Sequence, residues 1–235
     1  LVEGLEKFDI TWDTPNGLRA DKMDMELLIK CKKSGCTYLI IGIESAVPRV
    51  LNKIIGKKLD LKAVVTLARM CKDAKLDLRA FYVIGLPGET KREIKRTADF
   101  ALMLLHKYNV FPHMHVAYPH IGTELYRICR EKGYLIEELS PESFEKIISG
   151  VRLIQTKDFN LKDIEEIHSN YHRKFSKIIR LKIIEKILKH PVEFFAYLKE
   201  VILNPFDRIR ITEDFVAFFN CHKRKIGRAN AGTKR

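Results

Sequence analysis

The sequence predicts an α/β fold, namely a partial (βα) barrel of four parallel strands followed by a mostly helical C-terminal region. Over residues 1–135, short β-like runs alternate with segments whose apolar residues recur every 3.6 positions. Each connection between strands is long enough to hold a crossover helix, which is typical of parallel βα units. After Gly133 the alternation stops and helical spacing prevails. Since four strands cannot close a barrel, we expect an open one.

The four strands are predicted where apolar and β-branched residues cluster, at residues 8–12, 38–43, 78–84 and 110–118. The third run is apolar or aromatic at every position except Arg79, as expected of a strand that is covered on both faces. Helices are predicted from Asp24 to Gly35, over 47–55 and 60–75, and from Thr90 to about Leu105. Asp24 is the predicted N-cap of the first helix, and Thr90 with Glu93 forms a capping box for the last.

The C-terminal part divides into a helical region at 136–221 and a basic, disordered tail at 222–235. We expect a helix to open at Ser140, a weak strand over 151–155, and helix after Asn160. Apolar residues at 164, 167 and 171, and the apolar blocks 183–188 and 194–203, support the helices. The block 194–203 is interpreted as a buried helix, with an interfacial membrane role as the alternative.

Charge and composition limit the class of protein. The chain has 235 residues and a net charge of +13. Residues 161–235 contain 17 Lys or Arg and 9 Asp or Glu, so they carry +8 of this charge. The basic character therefore belongs mainly to residues 161–235. The sequence shows neither a signal peptide nor a long uncharged apolar run, so we expect a cytoplasmic protein. It begins with Leu1 rather than Met, which indicates a cut from a longer protein.

Cysteine and histidine positions offer weak metal-binding alternatives. The five cysteines are scattered and odd in number, which argues against a disulfide framework. Cys31 and Cys36 flank a helix end, but neither CxxC nor CxxxCxxC spacing occurs. His113 and His115 share one face of a strand by its period of two, with His120 nearby. No third ligand is set by spacing, so pocket-lining or solvated histidines are the favoured interpretation.

The carboxyl ends of the predicted strands carry unusual sequences. In parallel α/β folds the functional residues lie on loops at these ends. The four segments run from Trp12 to Asp21 (WDTPNGLRAD), from Gly42 to Ser45 (GIES), from Gly85 to Thr90 (GLPGET), and from Ala117 to Tyr126 (AYPHIGTELY).

Two of these segments allow a functional and a structural interpretation. Glu44 ends a buried strand, where its carboxylate could accept hydrogen bonds from an amine or a ribose hydroxyl, or could cap the next helix. Gly85 and Gly88 flank a proline in a tight turn that permits close approach of a ligand, although a purely structural turn with Thr90 as N-cap is favoured for this segment alone.

Taken together and in order, the four segments resemble the C-terminal two thirds of the radical S-adenosylmethionine (SAM) domain, over roughly residues 8–135. The resemblance is to the group whose members often carry an N-terminal cobalamin-binding domain. It implies cofactor-binding roles for residues at the strand ends, and the catalytic residues stay unknown. The implied SAM-binding residues are Glu44, Ser45, Lys57, Gly85, Val116, Ala117 and Tyr118. His120 and Ile121 interrupt the family's Pro-Gly-Thr, which weakens the adenine contact. Arg19 and Asp21 are expected to pin their loop.

The resemblance further implies a radical SAM enzyme that uses SAM and a [4Fe–4S] cluster, with cobalamin through a further domain, for radical C–H chemistry such as methyl transfer or ring formation. The family's CxxxCxxC cluster motif is absent from this sequence. We therefore expect the first two strands, the cluster loop and any cobalamin domain to lie in a missing N-terminal part, and the chain alone to be inactive. No metal ligand is assigned within the chain.

The partners expected are a small-molecule or lipid-like substrate and the missing N-terminal part, with peripheral membrane contact through the basic tail. A nucleic-acid-binding basic module is the alternative from another class, and the +13 charge motivates it. The tail lacks interleaved aromatic and basic residues, which disfavours nucleic acid. A degenerate, non-catalytic radical SAM relative is the remaining alternative.

Overall fold

The computed structural model describes residues 1–137, 139 and 152–192. By compactness the chain divides into one unit at Leu1–Phe175 and a second at Ser176–Arg235. The boundaries predicted at 135/136 and 221/222 stay predictions. No helix within the described residues is long and apolar enough to span a membrane.

The first unit is built on a parallel sheet of three strands in the order β1-β2-β3. The strands are β1 (Tyr38–Glu44), β2 (Asp77–Ile84) and β3 (Phe111–Val116). Leu39 of β1 lies beside Leu78 of β2, and the C-terminal residue of β2 lies beside that of β3. Three of the four expected strands therefore form, within about two residues of their predicted bounds.

The helices lie between the strands as predicted, and the capping residues explain where several of them begin. They are α1 (Val2–Leu5), α2 (Met25–Lys33), α3 (Leu61–Ala74), α4 (Lys91–Tyr108), α5 (Glu124–Glu131) and α6 (Leu161–Lys189), with a 3₁₀ turn at Ala20–Lys22 and a π-helical turn at Val50–Ile55. Asp24 accepts a hydrogen bond from the Leu27 amide at 2.8 Å. The side chain of Thr90 and that of Glu93 form the predicted capping box of α4.

The strand expected at residues 8–12 is the main correction to the fold. Within residues 8–12, Trp12 forms an isolated parallel bridge to Cys36, just before β1, and farther along the chain Leu18 forms a second isolated bridge to Ile41 of β1. Between the bridges the side-chain oxygen of Thr14 accepts the Ile40 amide at 2.9 Å, and Pro15 and Asn16 form a turn before Gly17 lies against the backbone of β1. The ladder is broken because a side chain takes a strand amide and Pro15 has none to donate.

The two faces of the sheet differ in burial. On β2, Leu78, Ala80, Tyr82 and Ile84 alternate with half-buried residues, and these four are at most 3% exposed. Helices α3 and α4 contact β2. The sequence pattern predicted cover on both faces, but the described residues bury only one of them fully.

The long helix α6 follows the predicted apolar stripe. Ile164, Ile167 and Tyr171 are buried. Lys91 of α4 pairs with Asp163 at 2.8 Å, which ties the start of α6 to the start of α4. In place of the weak strand over 151–155, the structure has one antiparallel bridge that joins Ile154 to Leu135. The predictions for residues 140–151 and 194–235 lie outside the described residues.

Candidate functional site

The carboxyl ends of the three strands meet at one edge of the sheet because the strands are parallel. Glu44 ends β1, Gly85 follows β2, and Val116 ends β3. This edge brings together the strand-end residues that the sequence predicted as a site. We define it as the carboxyl edge.

Glu44 occupies an irregular position at this edge. The register between β1 and β2 shifts between Gly42 and Glu44, so Ile43 is an extra residue in a β-bulge. The backbone of Glu44 is left-handed, with φ of 65°, which is uncommon for a residue with a side chain. Backbone strain of this kind costs about 1–3 kcal/mol and clusters at functional sites. The bulge redirects the carboxylate relative to a regular strand.

Glu44 forms an ion pair with Lys57. The Lys57 Nζ donates to Glu44 Oε1 at 2.8 Å, and the side chains are about one quarter exposed. The sequence suggested a ligand contact or a helix cap for Glu44. The structure gives it a lysine partner in place of the cap, and the ligand contact stays a prediction. Both groups remain reachable from solvent at the edge.

Gly42 makes room for this pair. A Cβ atom at Gly42 would lie 2.5 Å from Glu44 Oε1 and 2.6 Å from Lys57 Nζ. The carboxylate and the ammonium group therefore lie over the backbone of β1 where any other residue would place its side chain. Glycine is therefore required at position 42 for this placement of the pair, on steric grounds that the sequence alone did not reveal.

Lys57 is positioned by the turn that ends the π-helical segment. Gly56 adopts a left-handed conformation with φ of 73°, and the Lys57 amide donates to the Leu51 carbonyl at 2.9 Å. This arrangement turns the chain back toward β1. The contact between Lys57 and Glu44 spans thirteen positions of sequence.

Ser45 is fully buried, and its hydroxyl is used inside the protein. Its Oγ lies 3.2 Å from Thr97 Oγ1 and accepts the Val47 amide at 3.2 Å. The Ala46 amide also donates to Thr97 Oγ1. These bonds fasten the loop after β1 to helix α4, so the Ser45 side chain supports the loop in this structure. Its role toward a cofactor stays a prediction.

The turn after β2 contains a buried carboxylate that sequence reasoning did not single out. Glu89 is 0% exposed, and its Oε2 accepts the Leu86 amide at 2.8 Å. The other oxygen, Oε1, is buried without a hydrogen-bond partner among the described residues. Burial raises the pKa of Glu89 to about 7, and hydrogen bonding from Leu86 opposes the rise. Glu89 closes the turn that carries Gly85 and Gly88, which both have positive φ.

The segment after β3 lies beside the end of β2. The Ala117 amide donates to the Ile84 carbonyl at 2.8 Å, and Ala117 is buried. The side chain of Val116 lies 3.7 Å from the position of a Cβ on Gly85. Tyr118 is half-buried, with its ring centroid 4.9 Å from that of His120. The structure thus brings Gly85, Val116 and Ala117 together.

Arg49 links the loops after β1 and β2. Its guanidinium donates to both carboxylate oxygens of Glu93, at 2.8 and 2.6 Å, and to the Gly88 carbonyl at 2.7 Å. The bidentate pair lowers the pKa of Glu93 to about 2. Because Glu93 also belongs to the capping box, Arg49 connects both loops to the start of α4. Sequence spacing could not reveal this contact, since the partners are 44 positions apart.

The half-buried face of the sheet carries polar and aromatic side chains. The Arg79 guanidinium lies 3.8 Å from the centroid of the Tyr38 ring. The Phe81 ring lies 5.3 Å from His113 and 5.8 Å from His115, which confirms that both histidines share one face. Among the described residues, no three His, Cys, Asp or Glu side chains are grouped as a metal site.

Comparison with known proteins identifies the family. Residues 3–101 match the family model of the radical SAM superfamily. This part of the chain belongs to the radical SAM superfamily. The radical SAM segment, residues 3–101, includes Glu44, Ser45, Lys57 and Gly85, whereas Val116, Ala117 and Tyr118 lie beyond it. Four of the seven predicted SAM-binding residues therefore lie inside the matched region.

Two relatives of the radical SAM segment bear the name methyltransferase. The cytidylyl-2-hydroxyethylphosphonate methyltransferase of Streptomyces wedmorensis is 27% identical over 183 residues, which are 75% of this chain and 33% of that protein. An uncharacterized methyltransferase of Pyrococcus horikoshii is 31% identical over 131 residues, 56% of this chain and 27% of that protein. The chain thus spans a third or less of the length of these curated relatives.

Among solved structures, the radical SAM methyltransferase TsrM of Kitasatospora setae, with cobalamin and a [4Fe–4S] cluster bound, gives a TM-score of 0.38. The sequence identity is 18%, and the match covers 43% of this chain and 20% of that chain.

Proposed function

We propose that the chain is part of a radical SAM enzyme that transfers a methyl group to a small molecule, with SAM bound at the carboxyl edge. The observation that carries the proposal is the match of the radical SAM segment, which contains the Glu44–Lys57 pair at the end of β1. The names of the two curated relatives support methyl transfer. Cobalamin as a further cofactor and the whole protein's substrate are parts of this proposal.

The side chains at the carboxyl edge fit SAM. A carboxylate can accept hydrogen bonds from the ammonium group of its methionine part or from ribose hydroxyls, and a lysine can donate to its carboxylate. In this proposal Glu44 and Lys57 open their 2.8 Å contact and each takes one ligand group of opposite charge or polarity. In this proposal Gly85 and the segment 116–118, at the neighbouring strand ends, contact the remainder of the ligand.

The cysteines of this chain do not fit an iron–sulfur cluster. Such a cluster requires closely spaced thiolates, and the five cysteines of the chain lack the CxxxCxxC spacing. Cys31, Cys36, Cys71 and Cys129 are buried, and burial raises the pKa of Cys71 to about 12. When SAM and a cluster are bound together, they supply the radical chemistry of the superfamily. The residues of this chain bind and orient SAM in our proposal.

The proposal is tested by SAM binding to the intact protein with the substitution Glu44→Gln. Loss of a charge-assisted hydrogen bond costs roughly 1.5–3 kcal/mol, which is about 10- to 150-fold in affinity. We expect calorimetric titration to show this loss, while the melting temperature falls little. If SAM affinity is unchanged and the melting temperature falls, Glu44 serves only the structural pair with Lys57, and the assignment is wrong.

A second substitution, Gly42→Ala, displaces the pair without changing its chemistry. The new methyl group would overlap Glu44 Oε1 and Lys57 Nζ, and these flexible ends can move away at low cost. We expect weaker SAM binding with a nearly normal melting temperature. Glu124→Gln is the matched control, since it breaks the exposed pair with Arg127 on α5 and should leave SAM affinity unchanged. Equal loss in Gly42→Ala and the control would contradict the proposal.

A further inference from the structure

A basic groove of about 930 Å³ lies at the start of helix α4, outside the set of residues that the proposed SAM site uses. Its wall comes from the loop after β1, the turn after β2, the first turns of α4 and residues 157–158. We define the basic groove by its lining residues, which are Val47, Arg49, Gly88, Thr90, Arg92, Glu93, Lys95, Arg96, Asp99, Lys157 and Asp158. A volume of this size suits a small-molecule ligand.

Two of the five cations in the groove are engaged within the protein. Arg49 is held by Glu93 and the Gly88 carbonyl, and Lys95 pairs with Asp99 at 2.5 Å. Lys174 also reaches Asp99, at 3.3 Å. These contacts neutralise the carboxylates of Glu93 and Asp99, so neither compensates the remaining cations.

The other three cations are Arg92, Arg96 and Lys157. None of them makes a hydrogen bond or an ion pair with another described residue through its side chain. Asp158 is the remaining carboxylate of the groove, and its backbone carbonyl accepts the Lys91 amide at 3.4 Å. Three cations therefore face one carboxylate, which leaves the groove with an excess of positive charge.

The helix adds to this potential. The 18 residues of α4 begin at Lys91, beside the groove, and the N-terminus of a helix carries a partial positive charge. Thr90 and Glu93 occupy part of the first-turn hydrogen-bonding capacity through the capping box. The guanidinium groups of Arg92 and Arg96 are therefore the main recognition groups, and the helix strengthens their field.

We propose that the basic groove binds a small molecule that carries a phosphate group, through Arg92, Arg96 and Lys157. Guanidinium groups present paired donors that match phosphate oxygens, and several cations around one cavity favour a group with more than one negative charge. The contacts of Arg49 with Glu93 and the Gly88 carbonyl connect three of the segments that line the groove. A phosphate group thereby lies beside the two loops that also carry Glu44 and Gly85, and the groove anchors a ligand independently of SAM.

The test is calorimetric titration of inorganic pyrophosphate into the full-length protein and into the variant with Arg92→Gln and Arg96→Gln. We expect saturable binding that weakens at least tenfold in this variant. The control variant, with Lys62→Gln and Arg69→Gln, removes two exposed cations from α3, and we expect a change below twofold. A change of the same size in both variants would show a mere effect of net charge and would overturn the proposal.

Two further arms distinguish the basic groove from a nucleic-acid surface and from the SAM site. A short oligonucleotide that binds more tightly than pyrophosphate and loses affinity in the groove variant would make the groove a nucleic-acid surface and overturn the proposal. Titration of SAM into the groove variant should give the affinity of the unmodified protein. Failure of SAM binding in every variant, with pyrophosphate binding intact, would reject the proposed function and leave the basic groove supported.

Discussion

The two faces of the sheet are built from the same strands and have different roles. On β2, Ala80, Tyr82 and Ile84 are fully buried, whereas Arg79 and Phe81 on the alternate face are half-buried. The buried face belongs to the core with the helices, and the other face presents a cation and aromatic rings. The period of two along a strand lets one segment stabilise the fold and offer a surface at the same time.

The difference also explains where polar groups are tolerated. Arg79 is placed over the Tyr38 ring at 3.8 Å on the half-buried face, where its guanidinium can stay hydrated. Tyr82 on the buried face has its hydroxyl buried without a partner among the described residues. An unpaired buried hydroxyl carries a cost, so the packing of the ring must outweigh it. Packing therefore determines which side chains fit the buried face, whereas the other face can hold polar and charged side chains.

The largest expected effect is on the buried face. Ile84→Ala removes a side chain that is 0% exposed, which costs about 2–5 kcal/mol of unfolding free energy through lost burial and a cavity. Val83→Ala, its neighbour on the half-buried face, should cost about 1 kcal/mol. Urea denaturation followed by circular dichroism measures both. Equal costs would break the comparison, because they would place both faces in the core.

The next effect concerns Glu89, where β2 leaves the sheet. Burial raises the pKa of its carboxyl to about 7, from the ordinary value of 4.5 that applies in the unfolded chain. Between these values the unfolded chain releases the proton and the folded chain keeps it, so the unfolding free energy falls as pH rises, by about 3 kcal/mol in total. Glu89→Gln removes this loss, and its melting temperature relative to the unmodified protein should rise from pH 5 to pH 8.

The pKa shift of His168 has the opposite effect on the unfolding free energy, over nearly the same pH range. Burial, followed by the neighbouring charges of His172 and Arg152, lowers its pKa to about 4, so its contribution to stability is lost as pH falls below about 6.5. The pH profile of Glu89→Gln must therefore be read as a difference from the unmodified protein. A difference that does not change between pH 5 and pH 8 would contradict the buried, protonated carboxyl.

The smallest expected effect is on the half-buried face. Arg79→Met removes the stacking of the guanidinium on Tyr38, which is worth about 0.5–1 kcal/mol. Urea denaturation should show a loss no larger than that. A loss above about 2 kcal/mol would mean that Arg79 is part of the core, and the distinction between the two faces would fail at this strand.

Local features were predictable because they depend on neighbouring residues. The capping box at Thr90, the N-cap at Asp24 and the three strands follow from spacing within a few positions. The strand expected at residues 8–12 was wrong because Trp12 pairs with Cys36, so residues 8–11 would lie beside the end of α2 and the turn after it, where there is no strand to pair with. Apolar spacing does not show whether a partner strand is present.

The site was predictable as a location and not as a set of contacts. The sequence placed Glu44 and Gly85 at strand ends, which share one edge in any parallel sheet. It did not reveal the bulge at Ile43, the burial of Glu89 or the contacts made by Arg49. These features join residues that are close in space and far apart in the chain, or depend on the depth of packing around a turn.

The sequence by itself determined the alternation of strands and helices, the helix starts, and the motif order that resembles the radical SAM family. Tertiary structure alone decided that Glu44 meets Lys57 over Gly42, and that Ser45 faces Thr97. The physical reason is one of range. Periodicity and capping act over three or four residues, whereas strand register, a bulge and the desolvation of a carboxyl are set by packing between segments that only the folded chain brings together.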